Sequence, residues 1–366
     1  MNKQDRHPSE KFIAANANAE YLTKAFIFTI ATTILAASFL GPIALAGSAW
    51  TSPQPTEDPI HTPAEVVESM HSAFGYVHFR AVHAKGIILE GNFTPDPNAK
   101  KLTKAPHLQG PSSKVTVRFS NYSGVPTTPD NSPAANPRGM GIRFQLPGGS
   151  STDLVAHSFN GFPVSNSDDF RELMLAMGAS GPCATTPTAL DEFLDLHPIA
   201  KKFFATEKTP ASFATISYFG VNSFKFVNAK GEAHFVRYQL VPENGEVLLT
   251  DEERQRAGCD YIMDEIKSRV AEQPIVFELY AQLAEDGDKI DDPSIAWPDS
   301  RKRVLLGRIE INKLTPNTVE EDKSLVFVPS NVPAGIQIAD SMVTFSSKIY
   351  RLASKDEREI ATTIEK

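Results

Sequence analysis

Apolar residues recur along this chain with two periods. Over 64–74 they return every three or four positions (Val66, Val67, Met70, Phe74), which predicts a helix with one buried side. Thr62 is its N-cap, Pro63 suits the first turn, and Glu65 is placed to close a capping box. From Tyr76 the period shortens to two. Alternating runs predict strands over 77–83, 114–120, 139–146 and 153–156, with a polar loop rich in Pro and Asn over 126–137. Helical spacing returns at 168–177 and 188–205. Strands at 223–227 and 234–240 flank Asn228-Ala229-Lys230-Gly231 and read as a hairpin. Strands at 277–282 and 303–311 and a helix over 341–353 complete the pattern. Strands joined by hairpins, with helices inserted and appended, predict an α+β fold. A closed antiparallel barrel would leave no sheet edge exposed. No repeat of solenoid length is present.

The start of the chain follows neither period. No charged residue occurs from 25 to 47, a run long enough to cross a bilayer. Lys3, Arg6, Lys11 and Lys24 precede it, and no Lys or Arg follows until Arg80. The positive-inside rule then keeps the first two dozen residues in the cytoplasm and exports everything downstream. Ala44-Leu45-Ala46 before Gly47 fits a cleavage site. A cleaved signal peptide and an uncleaved anchor both remain open. Either makes 1–50 a leader, 51–61 a Pro- and Thr-containing linker and 62–366 a domain in the periplasm or facing it from the inner membrane. Membrane contact is expected only through the leader.

Composition narrows the function classes. The net charge is -8, with no basic run and no zinc-ligand spacing, which argues against a nucleic-acid partner. The 23 Phe residues serve a core and a flat cofactor pocket equally well. Cys183 and Cys259 form no CxxC pair; one disulfide and two buried free thiols both remain open.

The chemistry centres on a lone His in Phe79-Arg80-Ala81-Val82-His83-Ala84-Lys85-Gly86. A lone His on an apolar run is usually a core residue. Its surroundings change the reading. FRAVHAKGIILEGNFTP, VTVRFSNYSG, NPRGMGIRFQLPGG, DLVAHSFNGFPV, SFKFVNAKGEAHFVRY, DDPSIAWP and GIQIADSMVTFSSKIYRLA follow in this order. Together they resemble the catalase superfamily, and within it the small catalase-related peroxidases, from about residue 60 to 353.

The resemblance implies a catalase-like antiparallel β-barrel with surrounding helices and a haem pocket between barrel and C-terminal helix. It implies haem (iron protoporphyrin) as cofactor. The activity implied is that of an oxidoreductase reducing hydrogen peroxide or organic peroxides, with some catalase activity. Peroxide and a small organic reductant would be its partners. By the same resemblance His83 is the distal acid–base group, a task that suits neutral imidazole. Ser120 orients it, Arg80 and Arg118 meet the haem propionates, and Tyr350 ligates the iron. DLVAHSFNGFPV departs from the large catalases' spacing after DLV; the distal amide falls to Asn160, with His157 as competitor. Phe162 reads better as core than as a haem contact.

One position breaks the pattern. Most relatives carry an Arg one helical turn before the Tyr, where a cation would hold the phenol deprotonated. Here that position is Ser346, able to offer a hydrogen bond and no charge. The departure keeps open a haem-binding or peroxide-sensing protein without turnover. An allene-oxide-synthase-like enzyme that converts hydroperoxides is a third reading.

Overall fold

The computed structural model describes residues 59–75, 80–206, 208–316 and 318–364. The predicted leader, the linker up to Asp58 and residues 77–79 of the first predicted strand lie outside them.

Two antiparallel meanders make the sheet. The first is β1 (Gly86–Pro95), β2 (Ser113–Ser120), β3 (Gly139–Gln145) and β4 (Ser151–His157). The second is β5 (Tyr218–Val227), β6 (Ala233–Pro242), β7 (Ile275–Leu283) and β8 (Arg303–Leu314). β1 joins β8 and β4 meets β5, which closes an eight-stranded barrel; the short β9 (Ile336–Ile338) adds to β5. The two seams differ. β1 and β8 pair from Leu89 to Pro95, whereas β4 and β5 touch at one pair, His157 opposite Phe219.

Alternation decides which side chains fill the barrel. Val115, Val117 and Phe119 of β2 and Met140, Ile142 and Phe144 of β3 point inward and are buried in one apolar core. Phe119 stacks on Phe213 there, with ring centroids 5.3 Å apart. The alternate positions point outward, where the site is built.

A second apolar cluster lies outside the barrel. α1 (Pro63–Phe74) gives it Val67 and Met70, α2 (Ser167–Ala179) gives Phe170 and Leu173, and the C-terminal helix gives Phe345 and Ile349. The Thr62–Glu65 capping box forms as the sequence predicts.

Three expectations need correction. Residues 80–84 are not strand: His83 adopts a φ of 58°, and the N–H groups of His83 and Ala84 donate to Tyr122 and Ser123 carbonyls instead of a ladder. The strand begins at Gly86, where Ile87, Ile88 and Leu89 are all buried and no alternation marks it. The helix over 188–205 splits into α3 (Ala189–Leu196) and α4 (Pro198–Phe204), because a residue before Pro avoids helical backbone, and His197 sits at φ -123°, ψ 79°. Cys183 and Cys259 are free, and both are exposed rather than buried.

Sequence reading missed α5 (Asp251–Arg256), α6 (Tyr261–Glu272) and α7 (Thr318–Ser324). The last helix, α8 (Ser341–Ile364), runs past the predicted end. Among the described residues no helix is long and apolar enough to cross a membrane.

Candidate active site

The outward faces of β2, β3 and β4 form a lattice. In one row Arg118, Gly141 and Val155 stand side by side; in the next stand Ser120, Gly139 and His157. Directly paired residues project to the same face of a sheet. The two central glycines therefore leave a bare trough between side chains on either side.

Three glycines each clear space for one side chain. A Cβ on Gly139 would lie 2.8 Å from the His83 ring and 2.7 Å from Ser120 Oγ. On Gly141 it would lie 2.8 Å from the Phe327 ring, and on Gly86 2.4 Å from the Arg118 guanidinium. The imidazole of His83 thus rests on the trough over Gly139. A left-handed φ at a non-glycine residue is strained, and the two carbonyl bonds from Tyr122 and Ser123 hold it in place. Tyr122 also meets the ring edge-on at 5.8 Å.

His83 Nδ1 lies 3.1 Å from Ser120 Oγ. Burial, and then the charge of Arg118, lower the His83 pKa to about 3. The ring is therefore neutral at ordinary pH and able to accept a proton.

His83, Ser120, Arg80, Arg118 and Tyr350 all line one cleft between this sheet face and helices α1 and α8. The cleft holds about 780 Å³ of empty space, its open mouth included, and Met70, Val155 and Ile349 are among its apolar walls. Five of the six sequence-predicted site residues thus line one cleft. Asn160 does not: it sits in the turn after β4 and is absent from the lining.

His157, the competitor, is also absent from the lining, but the strand register sets it beside the site. It ends β4 in the same row as Ser120, and its charge would act on His83. Phe162 and Phe203 cover it at 6.1 and 6.2 Å. Neither ring nitrogen has a well-formed hydrogen bond; the Phe159 backbone is the polar group that acts on it. Burial lowers its pKa to about 4. Phe162 packs on Phe170, as a core residue does.

The phenol of Tyr350 faces the cleft from α8. Burial raises its pKa, and no charge offsets the effect. Ser346 gives it no help, since its hydroxyl donates to the Met342 carbonyl on its own helix.

Arg80 and Arg118 converge on Asp322 of α7. Arg118 grips the carboxylate with Nε and Nη2, the latter at 3.0 Å, and Arg80 reaches Oδ1 at 3.1 Å. Arg80 also donates to the carbonyls of Asp322 and Leu325. Burial opposes the charge on Asp322, but Arg118 and Arg80 outweigh it and hold the carboxyl below its usual range. Sequence reading could not have found this pairing, which spans more than 200 residues.

Chemically the cleft offers a neutral base on one wall, a phenol on another, two guanidiniums at one end and an apolar floor. Among the described residues no cluster of His, Cys, Asp and Glu could itself hold a metal ion.

Known proteins share the sequence and fold of this chain. The family model described as Catalase matches residues 68–354. A catalase-related peroxidase of Synechococcus elongatus is 33% identical over 301 residues, covering 80% of this chain and 87% of that protein. One from Mycolicibacterium paratuberculosis is 34% identical over 302 residues, covering 80% and 94%. A fungal catalase structure superposes with a TM-score of 0.67 at 18% identity, over 86% of this chain and 66% of that one. A bacterial catalase structure gives 0.66 at 18%, and this chain spans 62% of it. These two likenesses show the fold, and the family model with the two relatives shows more: the chain belongs to the catalase family.

Proposed function

We propose that this protein is a haem-dependent peroxidase with some catalase activity, acting on hydrogen peroxide or organic peroxides. The observation that carries the reading is the placement of His83. A neutral imidazole, strained into position over Gly139 and bonded to Ser120, shares one cleft with the phenol of Tyr350.

The residues present fit a haem. His83 and Phe327 lie close over Gly139 and Gly141, and Met70, Val155 and Ile349 give the cleft beside them apolar walls. Tyr350 would hold the iron from the helix side, and Arg80 and Arg118 would meet the propionates. When bound, haem supplies the redox centre that takes the oxidising equivalents of peroxide.

The chain's own part is proton handling. With Nδ1–H donating to Ser120 Oγ, Nε2 of His83 is the free base. It would take the proton from one peroxide oxygen and return it to the other, which leaves as water. Peroxide itself or a small organic molecule would be the reductant. We read the leader as directing the domain out of the cytoplasm.

The test is haem titration of the purified protein, followed by peroxide. A tyrosinate-type ferric spectrum with peroxide consumption supports the reading; failure to take up haem overturns it. A second reading, a haem-binding or sensing protein with little turnover, is favoured by one observation. No charge supports the Tyr350 phenolate, and Ser346 is bonded elsewhere. Stable haem without peroxide consumption would establish it.

A further inference from the structure

The two guanidiniums that would receive a ligand's carboxylates already hold a carboxylate of the protein. We propose that Asp322 is an internal competitor for Arg80 and Arg118, and that it sets the affinity and selectivity of the cleft for a dianionic ligand. This rests on the reading of the cleft as a haem site.

The charges make the argument. Two guanidiniums face one carboxylate. The side chains of Arg118 and Asp322 are only 5% and 21% exposed, so little water screens them. A ligand with two carboxylates would put three negative groups around two positive ones if Asp322 stayed. Like charges at such range disfavour one another. Asp322 must therefore yield for each arginine to meet one ligand carboxylate.

Asp322 is held through Arg80 and Arg118, with Arg80 also on the Asp322 and Leu325 carbonyls, whereas the residues that follow are fastened independently of both arginines. Further along, Val328 N–H donates to Asp153 at 2.8 Å, and Arg143 ties Asp153 to the Val326 carbonyl. Those bonds lie a row away on the sheet (Arg143 opposite Thr116 and Asp153), outside the Arg118 row. α7 can release its carboxylate while Val326–Val328 stays fastened. Only molecules in which Asp322 has let go can then bind, so the apparent affinity is the intrinsic one multiplied by that disengaged fraction.

The experiment compares haemin with haemin dimethyl ester, which lacks the two charges, by absorbance titration of the full apo-chain. For Asp322→Asn we expect haemin to bind on the order of tenfold tighter, with ester binding changed less than about twofold. Asp322→Glu, which keeps the competing charge, should bind haemin like the wild type. If Asp322→Asn binds haemin no tighter, or loses both ligands in parallel, Asp322 merely positions the arginines and the inference fails. If Asp322→Asn does not fold, Asp322→Ser gives the same comparison. Uptake of neither ligand by any variant overturns the haem reading itself, a result distinct from wild-type uptake without a gain in Asp322→Asn.

Discussion

Arg138 and Arg118 are both buried guanidiniums facing acidic partners, and they sit in different kinds of place. Arg138 is fully buried, with Asn121 and the Asp130 carbonyl as its partners. The Asp130 carboxylate in turn binds Asn121 at 2.7 Å and Lys85 at 2.7 Å, and accepts N–H groups of Ile262 and Met263 at the start of α6. Only Arg138 Nε is left over. Arg118 instead borders an open cleft, and its partner stands on a short helix outside the barrel. The first cluster ties loop, strand and helix together and has no room for a ligand. The second ties one movable carboxylate. Burial and pairing alone do not mark a functional site; an apolar space beside the pair does.

The comparison breaks most visibly through function. His83→Ala should lower peroxide turnover of the haem-loaded protein by about 10²–10⁴-fold while haem uptake survives. Its stability should fall by only about 1–2 kcal/mol, since Ala keeps its Cβ in the same left-handed backbone and loses mainly the ring and its Ser120 bond. Steady-state rates together with a urea melt check both halves; a large loss of stability would make His83 a structural residue. Asp130→Ala should do the reverse, costing about 3–5 kcal/mol because Lys85, Asn121 and the first N–H groups of α6 lose their carboxylate. The folded fraction should still bind haem unchanged, as urea midpoints and titration would show.

Gly139→Ala is a subtler test. A methyl group there meets His83 and Ser120 Oγ, so turnover should fall about tenfold while stability falls by about 1–3 kcal/mol. Rates measured beside a thermal melt decide it.

Acid titration gives the smallest and most diagnostic effect. His83, His157 and His107 have folded pKa values lowered by burial to about 3, 4 and 4, against an ordinary value of 6.5. The stability from keeping them neutral is full above pH 6.5 and is lost as pH falls toward 4 and below. His107 lies in the barrel core beside Phe93 and Phe144, with Nδ1 unpartnered. His107→Leu should flatten the acid slope and add about 1 kcal/mol at pH 5, read from urea midpoints at pH 7, 5 and 4.

What the sequence revealed depended on the range of the physics. The Thr62–Glu65 cap is local chemistry and was legible. The hairpin around Asn228 was also legible, because its side chain accepts the N–H groups of Lys230 and Glu232. His83, Ser120, Arg80, Arg118 and Tyr350 were found through motif resemblance, and the fold brings them to one cleft. The choice between Asn160 and His157 turned on register: spacing after DLV cannot say which residue ends opposite Gly139. The left-handed backbone of His83 has no clear sequence sign, because His is enriched there only several-fold and Gly alone adopts it freely. α6 was missed despite Ile262, Met263, Ile266 and Val270 at helical spacing, because charged residues crowd its other face.

The single pair that closes β4 on β5 has a consequence for the history and redesign of such a chain. Residues 158–217, with α2, α3 and α4, are spliced in at that joint, and one strand pair is all that must be preserved across it. A loop can grow or shrink there without dragging any other strand out of register. The long β1–β8 seam offers no such freedom. The joint's one pair continues the row of Ser120, Gly139 and His157, so length changes there are also a ready way to reshape who can enter the cleft.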